Sequence, residues 1–157
     1  MSKLTPNLWF DSNAEEAVEF YCSVFKNSRV NRILHYGPEG PGAAGAVMTI
    51  DFELDGQPFT AINGGPYYQF TPAVSFVIDC HTQEEVDYYW ERLLAGGEAE
   101  QCGWLRDRYG LSWQVVPVIL IDMLLDPDPA RARRVTKAML GMVKLDIAAL
   151  RQAYQQG

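Results

Sequence analysis

Glu15-Glu16 is followed, four residues after Glu16, by Phe20-Tyr21, and 69 positions later Glu84-Glu85 is followed at the same distance by Tyr89-Trp90. Each copy comes after a short apolar run, Leu8-Trp9-Phe10 in the first and Val74-Ser75-Phe76-Val77-Ile78 in the second. A chain that writes one strand–helix unit twice is constrained to two similar modules, and a site is expected where they meet.

The first module reads as strand, helix and three strands. Leu4–Phe10 is the first strand, and Asn13 is placed to cap a helix with Glu15 and Glu16 in its first turn, where the helix dipole favours negative charge. Ala14, Ala17, Val18, Tyr21, Cys22 and Phe25 recur at the spacing of a helix lying on a sheet. Strands are predicted over Arg29–Tyr36, Ala46–Leu54 and Gln57–Ile62, with Asp55-Gly56 closing a tight hairpin and the glycine-rich stretch 37–45 reading as a mobile loop. The second module repeats the order. Ala73–Asp79 is a strand, Thr82 and Glu85 form a capping box for a helix stopped by Gly96-Gly97, and strands follow near Ala99–Leu105 and Leu111–Val116 around a turn at Asp107–Gly110. One strand fewer is evident here, with room for a short one around residues 97–101. After Pro117, Val118–Leu125, Pro129–Met142 and Asp146–Tyr154 carry helical spacing, with Asp128 capping ahead of Pro129.

The expected organisation is a single domain over 1–157. Module one runs to about residue 66, module two spans about 72–117, and a helical extension covers about 118–157. A formal net charge of −7 argues against nucleic acid, which requires clustered Lys and Arg; the group Arg131, Arg133, Arg134 and Lys137 reads as a solvated surface. The longest greasy stretch, Val115 to Leu125, is broken by Pro117 and Asp122 and is too short to span a bilayer. Three scattered cysteines, and an N-terminus without the apolar core of a signal peptide, give the expectation of a reduced, cytoplasmic protein.

Several motifs together resemble the PhnB-like family of the vicinal-oxygen-chelate superfamily, a family that also carries the label "3-demethylubiquinone-9 3-methyltransferase domain". They are the segment from Leu8 to Ala17 with Phe20-Tyr21, the segments 59–66 and 83–87, Cys102-Gly103-Trp104, Ser112 to Pro117, and the tail 142–150. The resemblance implies an α+β fold of two tandem βαβββ modules, as in glyoxalase and bleomycin-resistance proteins, forming a curved mixed sheet with added C-terminal helices. It also implies a homodimer.

In metal-dependent members of that superfamily each module donates two ligands, usually His and Glu, from its first and last strands. Carried over at the helix offset, those positions fall at Pro6 and Ser75, and near Asn63 and Gln114. Neither they nor the neighbours Asn7, Ile62, Val74, Trp113 and Val115 are His, Asp, Glu or Cys, so no metal ligand set and no cofactor is expected. His35 and His81 read as surface or interface residues and Cys102 as a buried, inert thiol, while Cys80 and His81, adjacent in sequence, point to opposite faces and form no Cys–His pair.

Strand alternation then predicts the lining of a metal-free cavity between the modules. Asn63, Ala61 and Phe59 would face in, with Pro6, Leu8 and Phe10 on the first strand. Ser75, Val77 and, at the strand's end, Asp79 would join them on the fifth, and Gln114, Ser112 and Val116 on the last. Trp9, Trp113 and Val115 would be core. Asn63, Ser75, Gln114, Phe10 and Phe59 are thus the expected ligand contacts, apolar walls with a few orienting polar groups. Gly64-Gly65-Pro66 reads as a turn rather than a phosphate cradle. The function expected is binding or sequestration of a small molecule. The alternatives are an enzyme, either the methyltransferase of the family label or a metal-dependent glyoxalase or dioxygenase, and an interaction partner that works through its C-terminal helices.

Overall fold

The computed structural model describes residues 2–156. Its contacts divide the chain into two compact units, Met1–Phe70 and Thr71–Gly157. In the first, β1 (Asn7–Phe10) leads into α1 (Ala14–Val24), and β2 (Arg29–His35), β3 (Val47–Leu54) and β4 (Gln57–Asn63) follow. In the second, β5 (Ser75–Cys80) and α2 (Gln83–Leu94) precede β6 (Glu98–Ala99), β7 (Trp104–Arg106) and β8 (Ser112–Pro117). The two sheets have orders β1-β4-β3-β2 and β5-β8-β7-β6, so the same topology is built twice. In each the first and last strands pair in parallel and the remaining pairs are antiparallel. The short strand sought near residue 97 is the two-residue β6, and α3 (Val118–Leu124), α4 (Pro129–Leu140) and α5 (Ile147–Gln155) complete the second unit.

Local chemistry explains most of these boundaries. Asp55 and Gly56 both adopt positive φ, 50° and 78°, the backbone a two-residue hairpin with the right twist requires. Thr82 accepts from the Glu85 amide at 3.1 Å, and the Glu85 carboxylate reaches back to the His81 amide at 3.0 Å, satisfying two donors at the start of α2. The first helix departs from expectation. Asn13 stands at its N-cap without a side-chain hydrogen bond, and the Ala14 amide is instead served by the Asn63 Oδ1 at 2.8 Å.

The loop 37–45, mobile by composition, is anchored on Tyr36. The Tyr36 and Gly45 backbones are bonded across it, and a Cβ at Gly40 or Gly42 would lie 2.6 or 2.4 Å from the Tyr36 ring. Glycine is the residue that lets a backbone pass so close to an aromatic face.

Burial shows which face of each sheet its helix covers. Leu8, Phe10, Ile50, Phe52, Leu54, Phe59 and Ala61 are buried in the first unit, together with Ala14, Ala17, Val18, Tyr21 and Val24 of α1. Ile78, Cys80, Leu105, Trp113 and Val115 are buried in the second, with Val86, Trp90 and Leu93 of α2. Full burial of each large side chain contributes roughly 1.5–3 kcal/mol.

The C-terminal segment is fastened into the second unit. Leu120, Met123, Val135, Leu145 and Leu150 form one apolar cluster. The Gln83 amide bonds both the Leu145 carbonyl (3.1 Å) and the Ile147 amide (2.8 Å), and Lys144 pairs with Asp87 at 2.8 Å, holding that carboxyl below its ordinary range. Cys102 and Gly103 take φ of 58° and 85°, which turns their consecutive amides onto the Met142 and Val143 carbonyls at 2.9 and 2.8 Å. The Cys102-Gly103-Trp104 motif therefore has a backbone role, seating the segment between α4 and α5.

Candidate functional site

In the second unit Ser112, Gln114 and Val116 alternate with Trp113, Val115 and Pro117 along β8, and the latter set is buried with α2. The other face is assembled by register. Ser75 lies opposite Ser112 and Val77 opposite Gln114 on β5, while Arg106 opposes Ser112 and Trp104 opposes Gln114 on β7. The Gln114 Nε2 donates to the Ser75 hydroxyl at 3.0 Å. Two of the expected ligand contacts, Ser75 and Gln114, are thus brought together on a face that also carries the Trp104 ring and Val77, itself 54% exposed. Arg106 at the edge is bonded to Glu98 at 2.7 Å and lies 3.9 Å from Glu100.

The first unit corrects the expected orientation. Phe10 and Phe59 lie on the face covered by α1: both are buried, Phe59 stacks on Phe52, and Phe10 meets Phe70 edge to face. Leu8 and Ala61 share that face and Trp9 does not, the reverse of the alternation expected from sequence. The reason is a loop. Residues 11–13 join β1 to α1 whereas residues 81–82 join β5 to α2, so the helices repeat at 69 but the strands at 70. An orientation carried back from the helix is therefore one residue out. Counted from strand pairing, where Asn7 opposes Thr60 as Val77 opposes Gln114, the counterparts of Ser75 and Gln114 are Thr5 and Thr60.

Asn63 sits on the α1 side, and its amide is engaged within the unit. Besides accepting from Ala14, it donates to Glu15 Oε1 at 2.7 Å and to the Val47 carbonyl at 3.1 Å, and its own carbonyl accepts from the Tyr36 hydroxyl. It also borders a cleft of about 340 Å³ shared with Asp11, Glu15, Val47 and Gly64. The neighbouring glycines serve packing. Gly64 lies against the Trp9 ring, where a Cβ would approach to 2.2 Å, and the Gly64 and Gly65 amides donate to the Phe10 and Asp11 carbonyls. Those amides are occupied, which agrees with a turn and leaves no phosphate cradle.

The face of the first sheet away from α1 carries a polar network. Arg32 pairs with Asp51 at 2.6 Å, Thr60 donates to the same carboxylate at 3.0 Å, and Arg29 and Asn31 both reach Glu53. Thr5, Asn31, Arg32, Asp51, Pro58 and Thr60 line a cleft of about 470 Å³ there.

These residues do not fit a first-row transition metal. In each unit the register-matched positions supply weak ligands, Thr5 and Thr60 in the first and Ser75 and Gln114 in the second, and the Asp51 carboxylate beside Thr60 is engaged by Arg32. Among the described residues, no three His, Cys, Asp or Glu side chains are grouped to hold an ion. Nucleophilic chemistry has little support in the thiols: burial, with Glu85 and Asp79 nearby, pushes Cys80 up to about 12. No described helix is long and apolar enough to cross a membrane.

A family model described as 3-demethylubiquinone-9 3-methyltransferase matches residues 2–116. Among solved structures, the chain is similar to a Bacillus cereus protein described as a 3-demethylubiquinone-9 3-methyltransferase, PhnB. Identity is 36%, the match covers 74% of this chain and 100% of that one, and the TM-score is 0.68. A Pseudomonas aeruginosa protein is 20% identical over 74% of this chain and 98% of its own, with a TM-score of 0.62. The fosfomycin resistance protein FosX of Listeria monocytogenes is 19% identical over 80% of this chain and 98% of its own, with a TM-score of 0.58. At that identity the last two likenesses speak to fold alone. No curated protein matches the chain.

Proposed function

The chain belongs to the PhnB-like 3-demethylubiquinone-9 3-methyltransferase family, and on that premise we propose that it binds a small organic molecule without the help of a metal. The observation that carries this reading is the convergence of Ser75 and Gln114 at 3.0 Å beside Trp104, on the sheet face that α2 leaves uncovered. Polar groups that orient, set among apolar and aromatic surface, are the composition of a ligand site. Sequestration is favoured over turnover because the face holds no activated nucleophile and no acid–base pair of the kind catalysis requires.

The test is a fragment screen read by nitrogen-15 NMR on the Gln114 side-chain amide. Hits are expected to shift that resonance saturably, and Gln114→Leu is expected to weaken them about tenfold, the loss of one or two hydrogen bonds in a shielded site. S-adenosylmethionine, the cofactor the family description implies, is expected to give no saturable shift. The two mixed four-stranded sheets offer it no glycine-rich turn between a parallel strand and a helix. Hits confined to other surfaces, or tight S-adenosylmethionine binding, would replace the reading.

The same reading includes a homodimer. It is supported by β2, a seven-residue edge strand exposed along its whole length, with Val30, Ile33 and Leu34 among its exposed side chains. Native mass spectrometry is expected to give twice the 17.7 kDa chain mass, and a single-chain mass at micromolar concentration would remove this part of the reading.

A further inference from the structure

Three buried side-chain atoms among the described residues have no hydrogen-bond partner: Glu100 Oε1, Arg106 Nε and Ser112 Oγ. They are not scattered. Arg106 lies opposite Ser112 across the β7–β8 ladder, and the Glu100 amide is bonded to the Trp104 carbonyl, which puts Glu100 beside the same strand. Ser112 is fully buried (0% exposed), and Ser75 and Gln114 lie one strand and two residues away on the same face. Buried polar groups are satisfied in the great majority of cases, and three orphans at one spot are what a polar ligand group would complete.

Their chemistry specifies the group. Arg106 Nε is a donor only and Ser112 a donor able to rotate, so both are suited to a single acceptor oxygen; Glu100 Oε1 is an acceptor and asks for an N–H or O–H. The charges nearby are already set: a terminal guanidinium nitrogen of Arg106 is paired with Glu98 at 2.7 Å, and its Nε faces Glu100 Oε2 at 3.9 Å, an ion pair too long for a hydrogen bond, so two carboxylates stand against one guanidinium. A carboxylate or phosphate ligand would add negative charge to a cluster that has an excess of it. An amine would bring no acceptor for Arg106 or Ser112. A neutral planar group with an acceptor beside a donor answers all three, and the Trp104 ring and exposed Val77 offer apolar surface for what it is attached to.

We propose that Glu100, Arg106 and Ser112 form the recognition point for a neutral carboxamide-type group, primary amide or lactam, borne on an aromatic or heteroaromatic ring that lies against Trp104. The carbonyl oxygen accepts from Arg106 Nε and the Ser112 hydroxyl, and the amide N–H donates to Glu100. This assignment rests on the ligand-binding reading above and narrows it to a chemical class.

Benzamide, benzoate and benzylamine, alike in shape and different in charge, separate the possibilities when titrated into the full-length protein. Benzamide is expected to shift the Trp104 indole and Gln114 side-chain resonances saturably, with benzoate and benzylamine weaker by about tenfold or more, the cost of an unpaired or repelled buried group. Ser112→Ala and Glu100→Ala are each expected to weaken benzamide about tenfold. Ser112→Ala should do so with an unchanged or higher thermal midpoint, which separates lost recognition from lost folding. Equal or tighter binding of benzoate or benzylamine, or benzamide binding indifferent to both substitutions, overturns the proposal. If benzamide is silent while other fragments shift Gln114, the class is wrong and the ligand-binding reading stands; if nothing shifts Gln114, both fall.

Discussion

Replacing Asp107 with alanine is expected to lower stability by about 3–5 kcal/mol, the range for leaving several buried donors without partners. Asp107 is 3% exposed and sits at the turn between β7 and β8. Its Oδ1 accepts from the Tyr109 and Leu111 amides at 2.8 and 3.1 Å, and its Oδ2 accepts from the Trp113 indole at 2.9 Å. One carboxylate thus shapes the turn and fixes a core tryptophan on the following strand. Alanine strands all three donors, two of them in bonds that are fully buried. Asp107→Asn keeps one acceptor oxygen but turns an NH₂ toward either the backbone pair or the indole, so an intermediate loss is expected. Urea unfolding followed by tryptophan fluorescence measures both, and a loss below about 1 kcal/mol for the alanine variant would show that the orphaned donors find water.

Asn63→Ala is expected to cost about 2–3 kcal/mol, one helix cap plus one or two partly buried hydrogen bonds. The substitution leaves the Ala14 amide, the Glu15 carboxylate and the Val47 carbonyl without the group that joins them. Asn63→Asp retains the cap through Oδ1 but sets a carboxylate against Glu15, so it should recover only part of the loss at neutral pH. Chemical unfolding of both variants at pH 7 separates the terms. Should Asn63→Ala stay within about 0.5 kcal/mol of wild type, the structural role of the amide is minor.

The contrast between these residues shows what the sequence carries and what it does not. Asp55-Gly56, Thr82 with Glu85, Gly96-Gly97 and Asp128-Pro129 were readable because each motif and its partner lie within a few residues, and the duplicated order of elements followed from periodicity. The roles of Asn13 and Asn63 were not readable. Asn13 has the chemistry of a cap, but the cap of α1 comes from 49 residues downstream, and such a choice is made by packing rather than by local propensity. The orientation of Phe10 and Phe59 was lost to a single added residue in one loop, because strand faces alternate with a period of two and any odd slip inverts them. The pairing of β1 with β4, which fixes the matter, is long-range information. The cluster of Glu100, Arg106 and Ser112 left no trace in sequence for a related reason: three ordinary residues become notable only when two antiparallel strands and a loop bring their unsatisfied atoms together.

The unequal linkers ahead of α1 and α2 also limit how the halves can be recombined. A chimera that grafts Thr71–Pro117 in place of the first half at a constant offset of 69 would align the helices yet turn every side chain of the leading strand to the wrong surface, putting Val77 where Leu8 is buried and Asp79 where Phe10 is. Shifting the splice by one position within residues 11–13 restores the match. Symmetrised versions of this chain therefore have to be designed strand by strand rather than copied as blocks.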